Sequence, residues 1–95
     1  MPTYIMHVDV NESEYQNSQE LVSVWGTIRE EMSELDAELL DTYAVLGSYD
    51  FDVRFEATDD DTAFQVTQVV ERHGLDTETM QALPVERLGE LVEDV

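Results

Sequence analysis

Two strand-like stretches joined by a glycine-containing turn constrain the fold of this chain more than any other feature. Residues 38–46 and 49–57 both read as strands with one mostly apolar face, the pattern that is typical of a half-buried strand. Gly47 and Ser48 lie between them, and glycine at the first position of a two-residue loop suits a type II′ turn. The sequence therefore predicts a β-hairpin.

The predicted turn also decides which residues of the hairpin lie opposite each other, because side chains alternate between the two faces of a strand. Counting outward from the turn, the apolar face pairs Leu46 with Tyr49, Ala44 with Phe51, Thr42 with Val53 and Leu40 with Phe55. The other face pairs Val45 with Asp50, Tyr43 with Asp52 and Asp41 with Arg54. We expect the first face to pack on the core.

The rest of the chain predicts an α+β fold around this hairpin. The spacing of apolar residues gives a strand over 3–10, a polar connector over 11–18, a helix over 19–35, a helix from the acidic 59–61 to Gly74, a strand over 75–83 and a short amphipathic helix over 84–95. The order β-α-β-β-α-β with a terminal helix is the ferredoxin-like pattern, and residues 1–95 are expected to form a single domain.

The predicted helices cover one face of the sheet and leave the other, the open face, without a cover. Its predicted members are Ile5, His7, Asp9, Asp41, Tyr43, Val45, Asp50, Asp52, Arg54, Thr77, Thr79 and Gln81. A second copy of the same sheet would be a self-complementary cover with two-fold symmetry. We therefore expect a homodimer.

The charge of the chain restricts its partners. Twenty-three acidic residues and four arginines give a net charge of −19. Such a surface repels phosphate, so we expect no binding to nucleic acid or anionic membranes. Its self-repulsion predicts a halophilic protein that needs salt to fold.

The absence of cysteine excludes disulfides and thiolate chemistry, and the absence of a signal peptide or long apolar run predicts a cytoplasmic protein.

Four segments, taken in order, resemble the GYD domain family. They are Pro2-Thr3-Tyr4-Ile5, Gly47-Ser48-Tyr49-Asp50, Asp59-Asp60-Asp61-Thr62 and Thr77-Glu78-Thr79. The resemblance implies a ferredoxin-like subunit in a dimeric α/β barrel, where two sheets face each other, and the acidic composition implies a haloarchaeal-type member. It implies no catalytic residue, because the family has no well-defined activity.

His7, Asp52 and Arg54 are the candidate catalytic residues. The first strand neighbours the third in this fold, so His7 can approach Asp52 or Arg54, and a carboxylate beside an imidazole makes a plausible proton-transfer pair. Tyr43 and Asp50 are candidate ligand-binding residues on the same face. The alternative interpretation is a polar network that lines the dimer interface.

His73 is a further candidate ligand-binding residue, and it rests on resemblance. Some heme-degrading proteins of the wider barrel superfamily place an axial histidine near the end of the second helix and a polar residue on the first strand, where this chain has His7. The alternative is an ordinary helix C-terminus, where cations complement the helix dipole. Two histidines without a spacing motif do not predict a metal site. We expect no cofactor, and heme is the less favoured alternative.

These observations predict a salt-adapted homodimer that binds an unidentified small ligand or acts as an accessory protein. One alternative is a small cofactor-independent or heme-dependent enzyme of the monooxygenase or isomerase type that uses His7 with Asp52 or Arg54. Another is a structural partner in a larger assembly, which would bind through Leu88, Leu91 and Val92 of the terminal helix. Fold analogy alone does not decide among them.

Overall fold

The computed structural model describes residues 1–10 and 17–93 and has the predicted element order. The elements are β1 (Thr3–Val10), α1 (Ser18–Met32), β2 (Ala37–Ala44), β3 (Phe51–Ala57), α2 (Asp60–Glu71), β4 (Leu75–Ala82) and α3 (Val85–Glu93). The strands form one antiparallel sheet in the order β2-β3-β1-β4. The α+β, ferredoxin-like prediction is thus confirmed. Most of the predicted connector over 11–18 and the end of the last helix lie outside the described residues.

Helices α1 and α2 pack on one face of the sheet and form the core with it. Apolar side chains at helical spacing bury the inner faces of both helices, and alternate residues of β1 and β3 meet them. The largest side chains that are fully buried are Phe55, Met6, Ile28 and Met32. Phe55 stacks on Tyr4 with ring centroids 5.2 Å apart, so the two central strands carry the middle of the core.

The hairpin has the predicted register near its centre but not at its ends. Asp41 lies opposite Arg54 and Tyr43 opposite Asp52, as expected. A bulge at Leu40 then shifts the register, so that Leu39 faces Phe55 and is buried while Leu40 is exposed. The placement of Leu40 in the core is therefore wrong.

The turn is longer than the two-residue loop that the sequence predicts. Strand β2 ends at Ala44 and β3 begins at Phe51, and one backbone hydrogen bond, from Val45 N to Asp50 O, continues the ladder between them. Gly47 has a φ of +122°, a conformation that favours glycine. The predicted pairing of Leu46 with Tyr49 is wrong, because both residues lie in the turn outside the paired strands, and Leu46 is not in the core because its side chain is fully exposed.

Strand β4 presents the opposite set of side chains from the one predicted. Its register with β1 places Thr77, Thr79 and Gln81 beside the core-facing residues of β1, and the Thr79 hydroxyl lies 3.4 Å from that of Thr67 on α2. The open face of β4 therefore carries Asp76, Glu78, Met80 and Ala82. In a strand with period two, an error of one residue exchanges the faces of every side chain.

The start of α2 is capped as the acidic segment predicts. Asp59 is the N-cap, and its Oδ1 accepts hydrogen bonds from Thr62 N at 2.9 Å and from Thr62 Oγ1 at 2.8 Å. These bonds favour the carboxylate and hold the pKa of Asp59 below its usual value. At the other end, Gly74 has a φ of +78° and follows the last turn, as predicted.

Removing this cap is expected to destabilise the fold. Asp59→Ala should lower the Tm by about 5 °C, because Thr62 N loses its acceptor. Asp59→Asn keeps an acceptor and should melt near wild type at neutral pH. Because the folded-state pKa is lowered, the stabilisation is present above the unfolded pKa and is lost as the pH falls through the folded pKa. Melting curves of the three proteins against pH test this, and equal acid sensitivity of wild type and Asp59→Asn would contradict it.

None of the helices in residues 1–10 and 17–93 is long and apolar enough to cross a membrane.

Candidate functional site

Three neighbouring strands bring four of the candidate site residues together on the open face. β1 supplies His7, β3 supplies Asp52 and Arg54, and β2 supplies Tyr43, because alternate residues of each strand point away from the helices. His7 Nε2 lies 4.0 Å from Asp52 Oδ2, and Arg54 Nε lies 3.8 Å from Asp52 Oδ1. The Arg54 guanidinium lies 5.8 Å from the centre of the Tyr43 ring.

Asp52 is the centre of this cluster. It lies between an imidazole and a guanidinium, both at ion-pair distances that exceed the length of a hydrogen bond. Its Oδ1 is buried and has no hydrogen-bond partner among the described residues. A buried carboxylate oxygen without a partner is unfavourable, so a small movement of Arg54 or a donor from a ligand would stabilise the cluster.

Tyr49 also belongs to this site, although the hairpin pattern predicts that it packs in the core. Its ring centroid lies 4.6 Å from that of His7, and its hydroxyl donates a 2.5 Å hydrogen bond to Glu78 Oε2 on β4. This bond and the charge of Glu78 raise the pKa of Tyr49 above its usual value. Tyr49 therefore links the turn before β3 to β1 and β4 and packs against the His7 ring.

A hollow of about 220 Å³ lies on the open face beside Tyr49. It is lined by His7, Asp9, Tyr49, Asp76, Thr77 and Glu78. Asp9 and Asp76 lie directly opposite each other in the β1–β4 register, and like charges in that position are destabilising. The hollow therefore has a negative potential, and a positively charged or hydrogen-bond-donating group would relieve the repulsion.

Asp50 does not join this group, although the sequence analysis placed it on the same face. Its Oδ2 accepts a hydrogen bond of 2.8 Å from Val10 N, which ties the turn to the end of β1. It lines a separate cleft of about 360 Å³ together with Phe51 of β3 and Trp25 of α1. This hydrogen bond gives Asp50 a structural role in the turn.

His73 is also separate from the cluster. It follows α2, and its Nε2 lies 2.6 Å from Oε1 of Glu31 on α1, while Arg72 reaches the other oxygen of Glu31 at 3.1 Å. His7 points from the opposite side of the sheet. The two imidazoles therefore do not face a common space, and they do not fit a heme that is ligated at His73 and contacted by His7.

No group of three or more histidine, aspartate or glutamate side chains in residues 1–10 and 17–93 is arranged to hold a metal ion. The described residues therefore give no specific support to a metal centre.

A family comparison connects this geometry to known sequences. The GYD domain model matches residues 4–92, which is nearly the whole chain. This chain belongs to the GYD domain family. No curated protein matches it. This chain resembles the crystal structure of SCO4226 from Streptomyces coelicolor A3(2), with a TM-score of 0.60 and 16% sequence identity. The match covers 85% of this chain and 96% of that one. At that identity the likeness shows the fold alone.

The residues that resemble the family motif have distinct roles in this GYD domain. Gly47 gives the turn a backbone conformation that favours glycine, and Asp50 ties the turn to β1. Tyr49 is the residue that reaches the open face, where it contacts His7 and Glu78. Within the segment Gly47-Ser48-Tyr49-Asp50, Tyr49 is the residue that lines the hollow.

The ionisation of Tyr49 is a direct test of the site geometry. We expect Tyr49 to lose its proton at a higher pH than a free tyrosine, because Glu78 accepts its hydrogen bond and repels the phenolate. Any stability that depends on this bond is present below the unfolded pKa and is lost as the pH rises through the folded pKa. Titration of tyrosinate absorbance measures the shift.

Glu78→Gln should return the Tyr49 titration toward the usual range, and Tyr49→Phe should identify its contribution to the absorbance. Glu71→Gln removes the same charge from the other side of the sheet, where Glu71 accepts from Thr77, and should leave the Tyr49 titration unchanged. An unshifted Tyr49 in the wild-type protein would contradict the contact.

Proposed function

We propose that this GYD domain is a homodimeric binding protein in which two open faces enclose a site for a small cationic ligand. The observation that carries the proposal is the hollow of about 220 Å³ that His7, Tyr49 and three carboxylates line. It is open in the single subunit, and a second sheet laid over it would exclude water. Exclusion of water strengthens the interaction of the carboxylates with a positive charge.

The open face has the composition of an interface. Tyr43 and Met80 expose much of their side chains, and Ile5 lies directly opposite Met80. Aromatic residues, methionine and arginine are the residue types that are enriched at interfaces between proteins, and a two-fold contact of a face with itself makes a closed dimer. Tyr43 on the edge strand β2, with Arg54 of β3 above its ring, supplies such a group.

The chemistry of the ligand follows from the charges in the hollow. Asp9, Asp76 and Glu78 contribute three carboxylates, and the Tyr49 ring offers an aromatic surface. An ammonium or amidinium group would pair with the opposed carboxylates of Asp9 and Asp76 and pack against an aromatic ring. An anionic ligand would meet repulsion from the same groups.

The first test combines mass and binding. Size exclusion with light scattering in multimolar KCl should give a mass near twice 10.9 kDa. Small organic amines should raise the Tm of that species, whereas carboxylic acids of the same size should not. Asp76→Asn should reduce the amine effect, and Asp61→Asn, which removes the same charge from the exposed start of α2, should not. A monomer, or equal responses to amines and acids, would overturn the proposal.

A second candidate function is acid–base catalysis by His7 with Asp52 and Arg54. The observation that favours it is the position of the Asp52 carboxylate within 4.0 Å of both basic groups. A carboxylate beside the ring would hold one tautomer of His7 and allow it to accept a proton. His7→Ala should then abolish turnover of a substrate while the dimer persists; if His7 serves only the interface, the same substitution should weaken association.

A further inference from the structure

A cavity of about 200 Å³ lies between α2 and β4, on the helix side of the sheet. One wall is a stripe of α2 residues at helical spacing, which are Asp60, Ala63, Phe64 and Thr67. The other wall belongs to the helix-facing side of β1 and β4 and consists of Tyr4, Thr79 and Gln81. An engineered cavity of about 150 Å³ holds benzene, so this cavity has room for one substituted six-membered ring.

The helix-facing side of β4 is polar where packing on a helix favours apolar residues. Leu75 is buried at the start of the strand, but the following residues on that side are Thr77, Thr79 and Gln81. The apolar Met80 is instead exposed on the open face. Positions where the local pattern contradicts the fold are expected to be functional or strained sites. The polar wall is therefore a feature to be explained by what it contacts.

Tyr4 and Asp60 form a fixed polar corner of the cavity. Tyr4 is only 4% exposed, and its hydroxyl donates a hydrogen bond of 2.8 Å to Asp60 Oδ1. That bond, burial and the charge of Asp60 raise the pKa of Tyr4 above its usual value, so the phenol keeps its proton and holds the carboxylate in place. Among the described residues, no donor reaches the other oxygen of Asp60. That oxygen is available to a ligand.

Thr79 and Gln81 add groups that both donate and accept hydrogen bonds. Thr67 Oγ1 donates to Ala63 O at 3.1 Å, so Thr79 is the donor in the 3.4 Å contact between the two threonine hydroxyls. That contact is longer than the usual O–H···O hydrogen bond, so it competes weakly with a ligand for the Thr79 hydroxyl. The Gln81 amide is exposed at the same wall and offers one donor group and one acceptor.

Phe64 gives the cavity an apolar side. Its ring is 69% exposed although it lies at the wall of a cavity, so it has a large apolar surface that the subunit does not cover. The cavity therefore offers an aromatic surface on one side and hydrogen-bonding groups on the other. A ligand that fits both has an apolar ring face and polar substituents.

The hydrogen-bonding groups select the chemistry of those substituents. Asp60 accepts only, whereas Thr79 and Gln81 donate and accept. Hydroxyl groups satisfy all three, because each hydroxyl donates one hydrogen bond and accepts others. An ammonium group only donates, and a carboxylate only accepts and is repelled by Asp60 and by the neighbouring Asp59 and Asp61.

We propose that this cavity binds a cyclic polyol of the size of a single sugar ring, with the apolar face of the ring on Phe64 and adjacent hydroxyl groups on Asp60 and Gln81. Tyr4 is a positioning residue that holds the Asp60 carboxylate. The site lies on the opposite side of the sheet from the open-face hollow. It belongs to one subunit, so it depends neither on the proposed dimer nor on the proposed cation site.

Amide chemical shifts of the ¹⁵N-labelled protein in multimolar KCl test the site. D-Glucose, D-galactose, D-ribose and myo-inositol are each titrated to about 50 mM, because a ligand of roughly twelve non-hydrogen atoms is expected to bind with a millimolar Kd. We expect at least one of them to give saturable shifts at the amides of 60–67 and 79–81 and none at Asp9 and Asp76 in the open-face hollow. Cyclohexylamine and cyclohexanecarboxylate, which keep a six-membered ring, should give no saturable shift.

Four substitutions identify the contacts. Phe64→Ala and Gln81→Ala should each raise the Kd about five-fold or more, and Asp60→Asn about ten-fold, because each removes a contact to the ring or its hydroxyl groups. Gln65→Ala, which truncates the same side chain as Gln81→Ala at an exposed position of α2 outside the cavity, should leave the Kd unchanged. Asp61→Asn, used as above, is the charge control for Asp60→Asn and should also leave it unchanged.

Each other outcome overturns the proposal. Shifts that fail to saturate with all four polyols would show solvent effects without a site. Equal shifts with cyclohexylamine would contradict the ligand class, and shifts confined to the open-face hollow would contradict the location. Binding that persists unchanged in both Phe64→Ala and Gln81→Ala would remove the cavity from the site. The mass of the protein and its response to amines are separate measurements, so none of these outcomes affects the proposed dimer.

Discussion

Replacement of Phe55 by alanine is expected to remove most of the stability of this domain. Phe55 is fully buried, and its ring stacks on Tyr4 between the two central strands and the helices. Truncating a buried phenylalanine costs about 3–5 kcal/mol, and small domains have about 5–15 kcal/mol in total. A 95-residue domain lies toward the lower part of that range, so we expect Phe55→Ala to be largely unfolded near its physiological temperature.

Urea unfolding in constant high salt measures this effect, since urea is uncharged and leaves the electrostatic screening unchanged. Phe64→Ala is the matched control, because the same atoms are removed from a side chain on α2 that is 69% exposed. Its free energy of unfolding should change by less than about 0.5 kcal/mol. Similar losses at the two positions would show that the core is not centred on Phe55.

The features that sequence reasoning recovered are those that repeat along the chain. Alternation in β1 and β3 and helical spacing in α1 and α2 were sufficient to predict the element order and most of the core, because burial of one face imposes those periods. The juxtaposition of His7 with Asp52 followed from the strand order alone. Local pattern and overall topology therefore agree in the centre of the molecule.

The sequence-based predictions are wrong where the alternation of residues along a strand does not distinguish an apolar face from a polar one. In β4 the core-facing residues Thr77 and Thr79 are polar, so the alternation did not show which face is buried. At the bulge, Leu39 and Leu40 are both leucine, and either could have filled the core position. Such positions are decided by contacts from distant elements, such as that of Thr67 with Thr79.

Tyr49 was missed for a related reason. A two-residue turn would have directed it to the core, whereas the longer turn that follows Ala44 carries it to the open face. Its position beside His7 and Glu78 depends on the turn conformation, which Gly47 permits but does not specify. The candidate site therefore became complete only with the structure.

Removal of salt is the second change from which we expect a large effect. Two unit charges 10 Å apart in water repel by about 0.4 kcal/mol. The chain has an excess of 19 negative charges, so unscreened repulsions in the compact state sum to several kcal/mol, which is comparable with the whole stability of a small domain. Multimolar KCl shortens the screening length to about 3 Å. We expect the protein to be folded in multimolar KCl and largely unfolded at about 0.1 M.

The register of the sheet identifies one pair of like charges that contributes to this repulsion, in addition to Asp9 and Asp76. Glu38 lies directly opposite Glu56 on the open face, in the position where like charges destabilise a strand pair by about 0.2–1 kcal/mol. Glu38→Gln should therefore lower the KCl concentration at the unfolding midpoint. Glu34→Gln is the matched control, because it removes the same charge from an exposed residue outside the sheet. It should lower the midpoint by less. Circular dichroism against KCl concentration compares the variants.

Sucrose is a second control, because it stabilises compact states without screening charge. We expect that sucrose does not replace the salt. If it does, or if the two variants respond equally to KCl, charge repulsion across the sheet is not the cause of the salt requirement.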